Sequence, residues 1–363
     1  MKELKIGGLT ITVPVIQGGM GVGISLSGLA VAVANQGGVG VISAAGLGFV
    51  HRNPELNYFE ANTEGLKTEI RKAREKTNGI IGVNIMVAMS NFEELVKTAI
   101  SEKVDIIFAG AGLPMHLPGF LTEGSKTKLV PIVSSSRAAK LVCNKWKSAY
   151  NYLPDAIVLE GPKAGGHLGF KKDQLEDSNY SLEELVPQVV DEIRPFEEKS
   201  EREIPVIAAG GIYTGHDIFN IIKKGAKGVQ IGTRFVTTEE CDASMEFKQT
   251  YINASESDIE IIQSPVGMPG RAIRNNFIDK IKQGLKMPVK CPFHCIKTCE
   301  VSSSPYCIIT ALYNAYKGKM ERGYAFAGSN AYMAEKITTV KEIFADLKAG
   351  FQSAVLRNMV TAV

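Results

Sequence analysis

Long hydrophobic runs are missing from this chain, and so is any block of charge of one sign. Its apolar stretches are broken by Gly, Pro or a charged residue well short of the roughly 18 residues that a membrane span needs. Lys plus Arg number 41 and Asp plus Glu 38, leaving a net charge of +3. No basic tract argues for nucleic acid as a partner. The N-terminal MKELKIGGLTITVPVI lacks a long apolar core followed by a small-residue cleavage site, so the expectation is a cytoplasmic protein. No low-complexity tract, P-loop, Ser-His-Asp arrangement or zinc-protease helix is legible.

Cysteine is scarce and uneven. Cys143 and Cys241 stand alone, whereas Cys291, Cys295, Cys299 and Cys307 cluster as C-x3-C-x3-C-x7-C around His294. Without an export signal, free thiols are expected rather than a disulfide framework. Zinc sites usually show tighter pairs separated by a longer spacer. If the stretch is helical, intervals of four place three of the thiols on one face. The expectation is buried, redox-inert thiols and no metal.

Glycine, by contrast, is plentiful. The 363 residues include 36 glycines, many directly after apolar runs. Eight such runs recur: VPVIQGG (13–19), GVGVIS (38–43), IIGVNIMV (80–87), DIIFAGA (105–111), KLVPIVSS (128–135), AIVLEG (156–161), PVIAAGG (205–211) and GVQIGTRF (228–235). Each is apolar nearly throughout, as strands buried on both faces are. Between them lie helical spacings: Leu66, Ile70 and Ala73 in 63–77, Leu182 to Ile193, and Ile218, Ile221 and Ile222 in 215–224. The pattern predicts an α/β fold, a (β/α)8 TIM barrel over residues 1–236, with an open doubly wound sheet as the rival. Residues 237–328 read as a partly helical lid or second domain carrying the cysteine cluster. Residues 329–363 read as C-terminal helices packing back on the barrel, with 338–360 one long amphipathic helix. The Gly- and Pro-containing loop 110–127 is expected over the site.

In both folds function gathers at the C-terminal ends of the strands. There the sequence puts AIVLEGPKAGGHLG (156–169). Its glycines let a loop fold tightly after Glu160 and present His167, whose unperturbed pKa lies near neutrality. His167 is the candidate base or acid; the bland alternative is a loop histidine bonded to backbone. In IPVIAAGGIYTGHDIFNIIKKGAKGVQIGTRF (204–235), Gly210-Gly211 and Gly232-Thr233 end strands seven and eight. Their amides, with a helix N-terminus near Thr214–Asp217, can surround a phosphate. In QGGM (17–20), Gly18 and Gly19 would let the chain pass close to a flat ligand, with Met20 against its ring. In GVNIM (82–86), Asn84 is an amide in an apolar strand. It needs partners, which either a ligand ring or neighbouring loops could supply.

These motifs, in this order and spacing, resemble the nitronate monooxygenase family (formerly 2-nitropropane dioxygenases), in one superfamily with the flavin-dependent enoyl-acyl carrier protein reductases. The resemblance continues through SPVGMPGRAIRNN to AGSNAYMAEKITTVKEIFADL. It implies an FMN-binding barrel, with Gly19 and Met20 against the isoalloxazine and Asn84, Glu160 and Gly165, beside Gly166, along the flavin and ribityl chain. Gly211, Gln230, Ile231, Gly232 and Thr233, next to Gly210, would hold the phosphate end. His167 matches the family's catalytic base. Family members often carry Gln where this chain has Glu160, and the cysteine-rich segment and the 110–127 loop also depart from the family pattern. The leading expectation is FMN-dependent oxidation of alkyl nitronates, a small-molecule substrate, with O2. The rival is an NAD(P)H-dependent FMN reductase acting on enoyl-acyl carrier protein or quinones, with Arg271 and Arg274 binding nicotinamide phosphates. A third reading is a non-catalytic flavin protein whose cysteines sense redox state. A homodimer is an open expectation.

Overall fold

Parallel strands form at all eight predicted positions. The structure, a computed structural model, describes residues 1–287, 291 and 293–360, so the expected C-terminal segment 329–363 is described to Val360. The strands are β1 (Val15–Gln17), β2 (Gly40–Ser43), β3 (Ile81–Met86), β4 (Ile106–Gly110), β5 (Lys128–Val133), β6 (Ile157–Glu160), β7 (Val206–Ala209) and β8 (Gly228–Ile231). Neighbours pair in parallel from β2 through β8 and on to β1. A parallel bridge between Ile16 and Val39 brings β1 back to the edge of β2 and closes the ring. The fold is a TIM barrel.

Because strand side chains alternate, each strand supplies two cores. Ile16, Val41, Phe108, Val130, Val158 and Ile207 fill the barrel interior, joined from below by Leu4, Ile6 and Ile11 of an N-terminal hairpin that plugs the bottom. Val15, Ile42, Val83, Ile107, Leu129, Leu159, Ala208 and Val229 face outward against the helices. This double burial is why the strands read as continuous apolar runs.

Helix Tyr58–Lys76 buries Leu66, Ile70 and Ala73, and helix Leu182–Ser200 buries Leu182, Leu185, Val186, Val189 and Ile193. Helix Gly215–Lys223 buries Ile218 and Ile221. Residues 237–328 carry helices Met245–Ile252, Asn276–Lys282 and Ile308–Tyr316, and an antiparallel pair, Ile259–Gln263 with Pro269–Ile273. The last helix, Val340–Val360, packs on helix Gly215–Lys223. Among the described residues no helix is long and apolar enough to cross a membrane.

Two local expectations change. The cysteine stretch is not helical: between 293 and 307 the chain is an irregular strap, so the thiols do not share a helix face. The 110–127 loop borders the site only through Gly110, Ala111, Gly112 and Leu113. Beyond them it turns sideways, where the indole Nε1 of Trp146 donates to the Pro114 carbonyl at 2.8 Å and Phe120 meets Phe92.

Candidate active site

The C-terminal ends of the strands open into a cavity of about 590 Å3. The strand-end residues singled out by the motifs lie in its wall: Gly18, Gly19 and Met20 after β1, Asn84 in β3, and Glu160, Gly165, Gly166 and His167 from β6 and its loop. Gly210 and Gly211 follow β7, with Gln230, Ile231, Gly232 and Thr233 at β8. Parallel strands in register make this convergence automatic once the barrel closes.

At the floor, the Gly18 N–H donates to the Ile231 carbonyl at 2.8 Å, and the Met20 N–H to the Ser25 hydroxyl at 2.8 Å. A Cβ on Gly19 would stand 2.3 Å from the Asn84 Cβ, so this glycine is required by the approach of two strands, whatever ligand lies above. The Asn84 side-chain amide makes no hydrogen bond to a described residue and lines the cavity. A purely structural asparagine, bonded to neighbouring loops, would have used those bonds.

The loop after β6 is braced from the lid. Nη1 of the buried Arg271 donates to the carbonyls of Pro162 (2.6 Å) and Ala164 (2.8 Å). Gly166–His167 pairs with Gly270–Arg271, and the Leu168 N–H donates to the Pro269 carbonyl at 2.9 Å. A Cβ on Gly165 would lie 2.5 Å from the Ala327 carbonyl carbon and the Gly328 nitrogen. Gly165 is therefore required to be glycine where another stretch of backbone crosses it, while it still lines the cavity.

His167 Nε2 lies 2.7 Å from the Ser264 hydroxyl, and the ring meets Phe326 edge-on at 5.0 Å between centroids. Burial disfavours the imidazolium and pulls the His167 pKa down to about 4. The ring is thus neutral at neutral pH. Burial pushes the Glu160 carboxyl the other way, up to about 7, and it has no hydrogen-bond partner. Two titratable groups in one cavity so both favour their uncharged forms.

At the β7–β8 side, Gly210 (φ +94°) and Gly211 (φ +79°) take a left-handed turn that glycine enters freely. Among the described residues no hydrogen bond uses the N–H groups of Gly211, Gly232 and Thr233. The neighbouring helix N-terminus contributes less than expected. Asp217 closes a capping box with Thr214 and accepts from the N–H groups of Tyr213 (3.0 Å) and Thr214 (2.7 Å). Gly215 packs against the last helix at Leu347 and Phe351, and neither Thr214 nor Gly215 lines the cavity. A carboxylate already occupies that dipole end.

Sequence reasoning missed two contributors. Ser264 opens the SPVGMPGRAIRNN stretch, but nothing local marks its role, which appears only when the hairpin folds over His167. Residues 327–330 (AGSN) close the wall on the β7–β8 side: the Gly328 N–H donates to the Thr233 hydroxyl at 2.9 Å, and the Asn330 amide to the Gly211 carbonyl at 2.8 Å. The two arginines expected to await phosphates are engaged elsewhere. Arg271 braces the loop, and Arg274 pairs with Asp279 at 2.9 Å.

A sequence model described as nitronate monooxygenase matches residues 2–350. A probable nitronate monooxygenase of Staphylococcus aureus (strain Newman) is 30% identical over 311 residues, 76% of this chain and 79% of that one. FabK from Thermotoga maritima superposes with a TM-score of 0.73 at 28% identity, covering 97% of this chain and 96% of that one. A nitroalkane oxidase from Streptomyces ansochromogenes shares the fold, with a TM-score of 0.72 at 20% identity over 96% and 98% of the two chains. With its barrel, its strand-end glycines and a family match across almost its whole length, the chain belongs to the nitronate monooxygenase family of oxidoreductases.

Proposed function

We propose that the cavity holds FMN and that the protein oxidises alkyl nitronates with O2. The observation that carries this reading is the set of unpartnered polar groups in an otherwise apolar, glycine-rich cavity. The Asn84 amide suits the amide-like edge of a flavin ring, and the N–H groups of Gly211, Gly232 and Thr233 suit phosphate oxygens. These groups face the cavity and no described residue pairs them, so a ligand with matching acceptors and donors fits the site. Gly18, Gly19 and Met20 would lie against the ring. Glu160, Gly165 and Gly166 would run beside the ring and ribityl chain, and Gly210, Gln230 and Ile231 would flank the phosphate.

Bound FMN would take electrons from the substrate and pass them to O2. The protein's part is position, dryness and one proton-handling group. Val266, Met268, Ile296 and Phe326 wall the mouth and exclude water. Ser264 holds His167 Nε2, leaving Nδ1 for the substrate. An imidazole with a pKa near 4 is a weak base. That handicap matters for a neutral nitroalkane, whose α-proton must be removed. It matters little for a nitronate, which has already lost that proton, and this favours the nitronate as substrate.

The similarity to FabK supports a second reading, an NAD(P)H-dependent FMN reductase acting on enoyl-acyl carrier protein or quinones. The engagement of Arg271 and Arg274 weighs against it. The deciding experiment is the anaerobic half-reaction. Rapid bleaching of the flavin by an alkyl nitronate, with no bleaching by NADH or NADPH, is the expected result. Bleaching by the pyridine nucleotides alone would overturn the nitronate reading, and protein that takes up no FMN would overturn both.

A further inference from the structure

The proposed reaction leaves Cys291, Cys295, Cys299 and Cys307 without a task. All four are free thiols. The strap that carries them is pinned to the loop after β3. Ile296 forms an antiparallel bridge with Met89, the Ser90 N–H donates to the Cys295 carbonyl at 3.1 Å, and the Lys297 N–H donates to the Ala88 carbonyl at 2.9 Å. The pins set Cys295 in the wall of the same cavity as Gly19 and Asn84.

The fold also brings the thiols together. Cys295 lies within electrostatic reach of Cys307, Cys291 and Cys299, and Cys299 within reach of Cys291 and Cys307. Cys295, which is buried, and the partly buried Cys307 pack in one cluster with Phe49, Tyr58, Phe293 and Tyr313. A second observation is independent of the cysteines. The Tyr58 hydroxyl is buried with no hydrogen-bond partner, and Cys295, Cys307 and Cys291 are the charges it senses. A buried O–H donor is what sulfur ligands accept, and left unpaired beside protonated thiols it is a loose end.

We propose that Cys291, Cys295, Cys299 and Cys307 ligate an iron–sulfur cluster at the mouth of the cavity, with the Tyr58 hydroxyl donating to one of its sulfurs. The donor set is all sulfur, and three closely repeated cysteines followed by a fourth is the kind of run that holds such clusters. Zinc sites more often divide into two pairs across a long spacer. In the arrangement described, no three His, Cys, Asp or Glu residues among the described residues stand as a ready metal-ligand group. Each thiolate of such a cluster binds a different iron, so the site does not require three sulfurs gathered on one ion, and loading deprotonates the thiols. The sequence expectation of inert thiols gives way to a one-electron centre bordering the cavity. The assignment does not depend on the flavin reading.

The test is to purify the full chain anaerobically and measure iron, acid-labile sulfide, zinc and FMN per chain. The expected result is roughly four iron and four sulfide per chain, with a paramagnetic signal on reduction that is distinct from a flavin radical. Cys295→Ala and Cys299→Ser should each lose at least about tenfold of both, while Cys143→Ala, a buried thiol outside the cluster, keeps them. Wild-type circular dichroism in each variant shows that the loss is not unfolding. Tyr58→Phe should retain iron and lower the reduction potential of the cluster. Zinc at one per chain in place of iron would overturn the iron–sulfur assignment. No metal after anaerobic reconstitution with iron and sulfide would overturn the site, and full iron in Cys295→Ala would overturn the ligand set.

Discussion

Replacing Glu160 with Gln should stabilise the flavin-free protein at pH 8 relative to wild type by much more than at pH 4.5. The carboxyl has an ordinary value of 4.5 and is pushed by burial to about 7 in the fold. At about 1.4 kcal/mol per pH unit, that difference corresponds to about 3 kcal/mol. Below pH 4.5 both folded and unfolded chains hold the proton, and the site costs nothing. Between pH 4.5 and 7 the unfolded chain releases its proton while the folded chain keeps it, so wild type loses stability as pH rises. Above pH 7 the full cost stands. The substituted amide would bind no proton and would be blind to that window, and all other titrating groups cancel in the comparison. Urea unfolding of both proteins at pH 4.5 and pH 8 measures the effect, provided the denaturant slopes agree. A gap between variant and wild type that is the same at the two pH values would refute the argument, because it would mean that the carboxyl is solvated.

Three further outcomes are expected. His167→Ala should cut turnover of a neutral nitroalkane roughly 100-fold or more with FMN still bound, as steady-state rates and flavin absorbance would report; unchanged turnover of the nitroalkane would remove His167 as its base. Because burial lowers the His167 pKa to about 4, the acid limb of kcat/KM should fall near pH 4, and a limb at the usual 6.5 would show an exposed ring. Arg271→Met leaves the Pro162 and Ala164 carbonyls unpaired and should cost about 2–4 kcal/mol in denaturant unfolding, whereas Arg274→Met, which breaks an exposed pair with Asp279, should cost about 0.5 kcal/mol or less.

The barrel was legible because both faces of each strand are buried, so every strand writes itself as an apolar run with glycine at its end. The strand-end residues of the cavity were legible for the same reason: in a parallel barrel, position along the strand is position in the site. The helix Ser27–Asn35 shows where such reading stops. It has no side-chain cap of its own; the Asp242 carboxylate reaches across to accept from the Leu26 N–H at 2.9 Å and the Leu29 N–H at 3.3 Å. No local pattern announces a cap from 216 residues away.

Local chemistry in the chain thus determined the α/β barrel, the eight strands and the residues that gather at their C-terminal ends, since each follows from period, burial and turn geometry within a few residues. Tertiary structure alone decided what those residues meet. It placed Ser264 on His167 and turned Arg271 from an expected phosphate ligand into a brace. It set the Asn84 side chain against Gly19, crossed Gly165 with the backbone of residues 327–328, and packed Cys295 and Cys307 with Tyr58. Those partners lie tens to hundreds of residues apart, and desolvation and hydrogen bonding act on distance in space, which a sequence does not record.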